Sequence, residues 1–253
     1  MAIFKGKNSF TLFVLLLTFS YCKSQLNVYD GFETPELGNA WTTDRMAKGA
    51  LEMQSAIVRK GKYAAKMTLR SGDVLEPGSE RGIATERDEL REFKKYASEE
   101  GKMYEYQFSL FLPDSFPIVP VRLVIAQWKQ YCDDDTCSAN NPVLAIRYVS
   151  GQLLITVQTD SGKTTIYQTN AEIRNKWLDF RFNVRFSRLN NGQVDAWMNE
   201  KKILSYKGAT CYSFKTGYNA KGRFYFKTGL YRDLMQAPMT IYIDEYYKKE
   251  IIE

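Results

Sequence analysis

The chain has 253 residues, 44% of them hydrophobic, with 36 aromatics (4 Trp, 17 Tyr, 15 Phe) against 16 Gly and 7 Pro and a formal charge of +6. That composition excludes disordered, collagen-like and low-complexity classes and favours a β-rich body. Histidine is absent, which excludes any Ser-His-Asp or Cys-His catalytic set and any His-ligated metal, so proton transfer falls to Lys, Tyr, Arg or carboxylates.

At the N-terminus, Lys5 and Lys7 precede an apolar run from Phe10 to Phe19, too short to span a bilayer and of the length of a secretory signal core. Residues 1–24 are therefore expected to be a signal peptide, cut at Ser24-Gln25. Lipidation of Cys22 is the weaker alternative, because bulky Tyr21 precedes it. Loss of this segment removes three lysines and no acid, lowering the charge from +6 to +3. The mature chain, residues 25–253, is expected at the cell surface, in the periplasm or secreted, with no membrane segment. With modest charge and no basic cluster it offers nothing for nucleic acid. Export implies an oxidising compartment, where Cys132 and Cys137 could staple the polar tip Asp133-Asp134-Asp135-Thr136 and leave Cys211 unpaired. Those three acids lack the ligand alternation and closing Glu of an EF-hand, so they read as a solvated tip, and a structural calcium is not indicated.

From Tyr29 onward the chain shows no linker, repeat or break in composition. Period-two alternation predicts strands at Met103 to Leu112, Val121 to Gln130, Val143 to Tyr148, Gln152 to Thr159, Lys163 to Gln168, Trp177 to Phe186, Gln193 to Trp197, Arg223 to Tyr231 and Met239 to Tyr247. Turn residues separate them: Pro113-Asp114, Ser150-Gly151, Asp160-Ser161-Gly162, Asn190-Asn191-Gly192 and Ala237-Pro238. Such strands fit one all-β domain, a two-sheet antiparallel β-sandwich of jelly-roll type with a concave groove. A helix has room only around Leu90 to Glu100.

Parity assigns faces. In Trp177 to Phe186, Leu178, Phe180, Phe182, Val184 and Phe186 share one side, while Asp179, Arg181, Asn183 and Arg185 share the other as a solvated outer face. In Arg223 to Tyr231, Tyr225, Lys227, Gly229 and Tyr231 oppose Phe224, Phe226 and Leu230. In Val121 to Gln130, Gln127 and Lys129 continue the face of Leu123 and Ile125, as if an apolar strand turned polar on reaching a cleft. If Glu86 to Arg91 is extended, Arg87, Glu89 and Arg91 come together. Singly, each is what a surface salt bridge or snorkelling Lys supplies; jointly they point to a site. Trp128 alternates away from Gln127 and Lys129 and reads as core, and Trp41, Trp177 and Trp197 also read as packing residues.

On these residues the chain resembles a known family. Glu86-Arg87-Asp88-Glu89-Leu90-Arg91-Glu92 is similar to the R-S-E-L-R-E strand of jelly-roll alginate lyases, Gln127-Trp128-Lys129 to their Q-I-H, and Tyr225-Phe226-Lys227-Thr228-Gly229-Leu230-Tyr231 to their Y-F-K-A-G-x-Y. The resemblance extends to the wider jelly-roll polysaccharide lyase group that includes heparin and glucuronan lyases, through Tyr29 to Glu33, Asn141-Pro142 and Tyr242 to Glu245, spanning nearly all of the mature chain. The departure is Lys129, where many of these enzymes carry His. A Lys paired with a Tyr is most similar to the ulvan lyases of polysaccharide lyase family 28, so ulvan is the first expected substrate, with alginate, glucuronan and other uronate polymers open.

Cleaving a 4-linked uronate by β-elimination needs the carboxylate neutralised, its α proton removed and the departing glycosidic oxygen protonated. Arg91 and Gln127 are candidates for the first service. Lys129 is the candidate base, with an ordinary pKa near about 10.4 that burial and the Arg91 and Lys227 charges must depress, and Tyr231 is the candidate acid. Alternatively Tyr231 both takes and returns the proton while Lys129 only neutralises charge. Arg87, Tyr225 and Lys227 are expected to bind substrate beside them, with cross-strand support as the competing role for Tyr225 and Lys227. No cofactor is required by this chemistry, the partner is an acidic polysaccharide, and a monomer is expected. The competing class is a non-catalytic carbohydrate-binding sandwich, since one fold serves both. Gly162-Lys163-Thr164 is a hairpin turn and not a phosphate loop, because Val157 stands where the first Gly belongs, and Asp244-Glu245 cannot supply two separated carboxylates for hydrolysis.

Overall fold

The computed structural model describes residue 1 and residues 26–43, 45–76, 82–132, 141–213 and 220–252. The expected leader beyond Met1, with Cys22, lies outside the described residues, as do Cys137, the acids at 133–135 and the side chain of Cys132, and with them the expected disulfide. Cys211 is a buried free thiol, and burial pushes its pKa well up.

Among the described residues sixteen strands follow one another. They are β1 (Asn27–Asp30), β2 (Trp41–Thr42), β3 (Leu51–Gln54), β4 (Ala64–Leu69), β5 (Thr85–Glu92), β6 (Ser98–Glu99), β7 (Met103–Phe111), β8 (Leu123–Cys132), β9 (Leu144–Val149), β10 (Gln152–Thr159), β11 (Gly162–Thr169), β12 (Trp177–Arg185), β13 (Gln193–Met198), β14 (Lys201–Lys207), β15 (Ala220–Asp233) and β16 (Met239–Ile251). They form two eight-stranded antiparallel sheets. The first runs β14-β13-β12-β7-β16-β4-β3 with β1 paired to β16, and the second runs β11-β10-β9-β8-β15-β5-β2 with β6 paired to β15. This is the expected all-β sandwich. The predicted strands reappear with ends shifted by a few residues, and the turn Ser150-Gly151 takes φ of 51° and 79°, the left-handed pair that a two-residue hairpin needs.

The helix allowed at Leu90 to Glu100 does not form. Its first three residues are the end of β5, hydrogen-bonded between β15 and β2, and a 3-10 turn at Lys94–Tyr96 lies between them and β6. Sheet pairing on both edges of β5 overrides the helical propensity that Leu90, Arg91, Lys94, Lys95 and Ala97 give the segment.

Alternate residues from the two sheets meet in an aromatic core. Trp128 lies 5.0 Å from Phe182 of the facing sheet and 4.9 Å from Phe226, and Phe108 lies 5.0 Å from Phe226. Each ring so buried contributes about 1.5–3 kcal/mol. Trp41 is buried as expected, whereas Trp177 and Trp197 sit half-exposed on the outer face of the first sheet, Trp197 beneath the Arg181 guanidinium.

Candidate active site

Strands β5, β15 and β8 are neighbours in the second sheet, and their register gathers the expected site residues. Lys227 faces Arg91 on one side and Gln127 on the other, Tyr225 faces Lys129, and Tyr231 lies between Arg87 and Val124. Phe224, Phe226 and Leu230 enter the core, so Tyr225, Lys227 and Tyr231 belong to the outer face, as parity predicts.

On β8 strict parity fails. Leu123, Ile125, Ala126 and Trp128 all belong to the core, so Gln127 and Lys129 do not continue the face of Leu123 and Ile125. A register shift between Val124 and Ala126 supplies an extra residue, and without it Gln127 and Lys129 would point inward behind Ile125. Opposite, β15 has its own irregularity between Thr228 and Tyr231, at Gly229 with φ 136°. A Cβ there would meet the Asp88 carbonyl at 2.4 Å and Met67 Sδ at 2.5 Å, so only glycine fits between Lys227 and Tyr231.

Glu89 is the centre of the arrangement. Its Oε2 accepts from Lys227 Nζ and its Oε1 from Gln127 Nε2, while Arg87 Nη1 stands 3.6 Å from Oε2. Burial alone would raise its pKa, but the Lys227 and Arg87 charges with these hydrogen bonds hold it below the ordinary carboxylate value. Burial depresses Lys227, against the opposing pull of Glu89. Lys227 and Gln127, expected to meet the polymer, are only 2% and 1% exposed. Buried polar groups need partners, and here they brace one another around Glu89.

What the face leaves accessible lies on either side of that cluster. On one side the half-buried Tyr231 ring has the Arg87 guanidinium 4.2 Å and the Arg122 guanidinium 4.4 Å from its centroid. Arg122 Nε donates to Asp233 at 2.8 Å and Arg87 pairs with Glu76. On the other side Tyr225 packs 4.5 Å from Tyr131, with Arg91 5.9 Å from the Tyr225 ring and Lys94 and Arg223 each 6.0 Å from that of Tyr131. Lys129, half-buried, is on this second side, and the Gln127–Lys227 rung separates it from Tyr231. Sequence reasoning missed Arg122, Tyr131 and Arg223 as members of the face and the central role of Glu89. Arg122 lies at the start of the predicted strand and Tyr131 just past its end, and only the strand register reveals their partners.

Among the described residues no cluster of three or more Cys, Asp and Glu side chains is arranged to hold a metal, and no helix is long and apolar enough to cross a membrane. Residues 27–247 match the polysaccharide lyase family. No curated protein matches the chain. The structure is similar to an endo-β-1,4-glucuronan lyase from the fungus Trichoderma reesei, with a TM-score of 0.67 and 18% identity over 87% of this chain and 94% of that one. It is similar also to an alginate lyase from polysaccharide lyase family 7 (TM-score 0.57, 14% identity, 83% and 89% covered) and to the catalytic domain of a glycoside hydrolase family 131 protein from Coprinopsis cinerea (TM-score 0.55, 13% identity, 86% of each chain). At these identities the likeness is one of fold, which lyases and a hydrolase share.

Proposed function

The chain belongs to the polysaccharide lyase family and is a polysaccharide lyase, and from that premise we propose that it is an exported enzyme that cleaves a 4-linked uronate polymer by β-elimination on the outer face of its second sheet. The observation that carries this reading is the convergence of Arg87 and Arg91 on β5, Gln127 and Lys129 on β8 and Tyr225 and Tyr231 on β15, three strands adjacent in one sheet.

In the proposed reaction the uronate carboxylate lies against Arg87 or Arg91, whose positive charge stabilises the enolate-like anion as it develops. Lys129 takes the proton from the carbon next to the carboxylate. The freed electron pair forms the double bond to the neighbouring ring carbon, whose bond to the glycosidic oxygen breaks, and Tyr231 protonates that oxygen. The products are a new chain end and an unsaturated uronate, with no cofactor consumed. Glu89, with Lys227 and Gln127, keeps Arg87 in position. A second reading has Tyr231 both remove and return the proton. It is favoured by the two guanidinium groups on the Tyr231 ring and by the rung that separates it from Lys129.

Ulvan is the proposed first substrate, because a Lys stands in the Lys129 position. Glucuronan and alginate are the rivals, supported by the fold likeness to lyases of those polymers. The test is the ultraviolet absorbance of unsaturated uronate when residues 25–253 meet ulvan, glucuronan, alginate and heparin, with and without chelator. A rise on one polymer that persists in chelator supports the reading, and no rise on any, with binding retained, would move the protein to the non-catalytic class. Tyr231→Phe is expected to lower kcat on the order of a hundredfold or more. Lys129→Ala does the same in the first reading and costs less in the second, where Lys129 only neutralises charge.

A further inference from the structure

The outer face of the first sheet, on the opposite side of the sandwich, holds an arrangement that elimination does not use. Strand register aligns Lys202, Trp197, Arg181, Gln107, Tyr247 and Tyr29 into one continuous rung across β14, β13, β12, β7, β16 and β1. Neighbouring strands are about 4.8 Å apart, so the rung extends roughly 24 Å. It borders a cavity of about 780 Å³ lined also by Arg59, Lys60 and Glu245. Three of the six rung residues are aromatic and none of these is fully buried, with Tyr29 59% exposed.

The polar groups here are unequally engaged. Asp179 is held by Arg59 through two contacts of 2.8 Å and by Ser109, and Glu245 accepts from the Tyr29 hydroxyl at 3.1 Å with Lys60 3.6 Å away. Lys202 pairs with Asp195 at 2.8 Å. Glu200 is exposed at the cavity rim. Arg181 differs: its guanidinium lies 3.9 Å from the Trp197 ring centroid, and among the described residues it forms no ion pair with a carboxylate, although Asp179, Glu200 and Glu245 line the same cavity. A planar fork of donors backed by an indole and left without an anion suits a carboxylate, and flat aromatic faces edged with hydroxyl and amide groups suit pyranose rings. The solvated-face reading of Asp179, Arg181, Asn183 and Arg185 accounts for the Arg59–Asp179 pair and not for this rung.

We propose that the rung is a second, non-catalytic binding surface for an acidic polysaccharide, holding the polymer on the face of the sandwich away from the candidate active site. The choice of polymer rests on the uronate reading above. The test is affinity electrophoresis of the full chain through gels containing ulvan, glucuronan, alginate or neutral hydroxyethyl cellulose, in the Tyr231→Phe background so that the polymer stays intact. Arg181→Ala combined with Trp197→Ala is expected to weaken retention on the acidic polymer about tenfold, Trp197→Phe alone is expected to keep most of it, and hydroxyethyl cellulose is expected to retain neither form. In the Tyr231-intact enzyme the double variant is expected to leave kcat/KM on a short soluble oligouronide unchanged. Unchanged retention in the double variant overturns the proposal, as does equal loss of retention and oligosaccharide turnover, and rung-dependent retention on the neutral polymer overturns its acidic selectivity. Elimination without rung-dependent retention sinks this surface alone, whereas rung-dependent retention without elimination on any polymer sinks the catalytic reading alone.

Discussion

Glu89 and Glu92 stand three residues apart on β5, both are buried and both receive a lysine ammonium, yet their pKa values move in opposite directions. Glu89 is on the outer side of the strand, where Lys227, Arg87 and Gln127 converge on it, and together they overcome burial and hold it low. Glu92 is on the inner side between the sheets. Burial raises it, and the single cation Lys248, the Tyr246 hydroxyl and the Phe226 amide only partly offset that effect. The pair Lys248–Glu92 is 0% exposed on both sides, and burial lowers Lys248 in turn. Equal burial therefore does not set ionisation; the number of cations within reach does. The outer cluster keeps a fixed charge beneath the proposed site, and the inner one is a strut between sheets.

The largest effect should come from breaking the strut. Lys248 Nζ donates to both Glu92 oxygens, at 2.8 and 3.0 Å, and to the Tyr96 carbonyl. Lys248→Met leaves a carboxylate in the interior with no cation, and a loss of about 3–5 kcal/mol in denaturant unfolding is expected. Adding Glu92→Gln should recover much of it, since the amide oxygen can accept from the Phe226 N–H while its NH2 donates to the Tyr246 hydroxyl, without a charge. Activity per folded molecule should change little in either variant. A double variant no more stable than the single one would show that Lys248 acts through packing alone.

Breaking the outer cluster should do the reverse. Glu89→Gln removes the anion that holds Lys227 and Gln127 and helps to hold Arg87. Misplacement of a positioning group by about 1 Å can cost on the order of a hundredfold in rate, so kcat/KM should fall by that order, with a smaller change in unfolding free energy than in Lys248→Met. The readout that separates positioning from mere structure is the pH–rate profile, whose limbs should shift as Lys227 loses its counter-ion. A profile and rate like those of the unaltered enzyme would remove Glu89 from the mechanism.

The same strand shows how much the sequence could disclose. The alternation that lets Arg87, Glu89 and Arg91 share a face was legible, because period two is all that a strand requires, and the aromatic core was legible for the same reason. The irregularity on β8 was not, since one extra residue near Ile125 leaves no mark in a run of apolar side chains yet reverses the face of Gln127 and Lys129. Burial of Lys227 was hidden too, because its partner Glu89 is 138 residues away in sequence. Strands such as β14, in which only Leu204 is fully buried, carry too weak a pattern to be seen. The inward acids Glu86, Asp88 and Glu92 contradict the usual pattern of a core strand, and each is explained only by what the fold brings to it.

Asp88 gives the smallest and most specific effect. It is buried on the inner side of β5, its Oδ1 accepts from the Ala47 amide at 2.6 Å, its Oδ2 has no hydrogen-bond partner among the described residues, and the Asp73 carboxylate is close enough to act on it electrostatically. Burial first, then Asp73, against the opposing Ala47 hydrogen bond, raise its pKa from 3.8 to about 7. In the unfolded chain Asp88 gives up its proton near the ordinary value, while the folded protein keeps it. Between these values the folded state binds more protons, so stability is greatest below pH 4, falls as pH rises through about 7, and then levels. Allowing for solvent screening, the fall due to Asp88 should be about 1–2 kcal/mol. Asp88→Asn resembles the protonated acid, still accepting from the Ala47 amide through its own amide oxygen, and has nothing to titrate. Asp244, raised to about 6 chiefly by burial, contributes a fall of the same sign in both proteins and cancels in the difference. Unfolding curves at pH 4 and pH 8 should therefore show the variant equal to the unaltered protein at the lower pH and more stable at the higher. A difference that stays constant with pH would mean that Asp88 is already ionised in the fold.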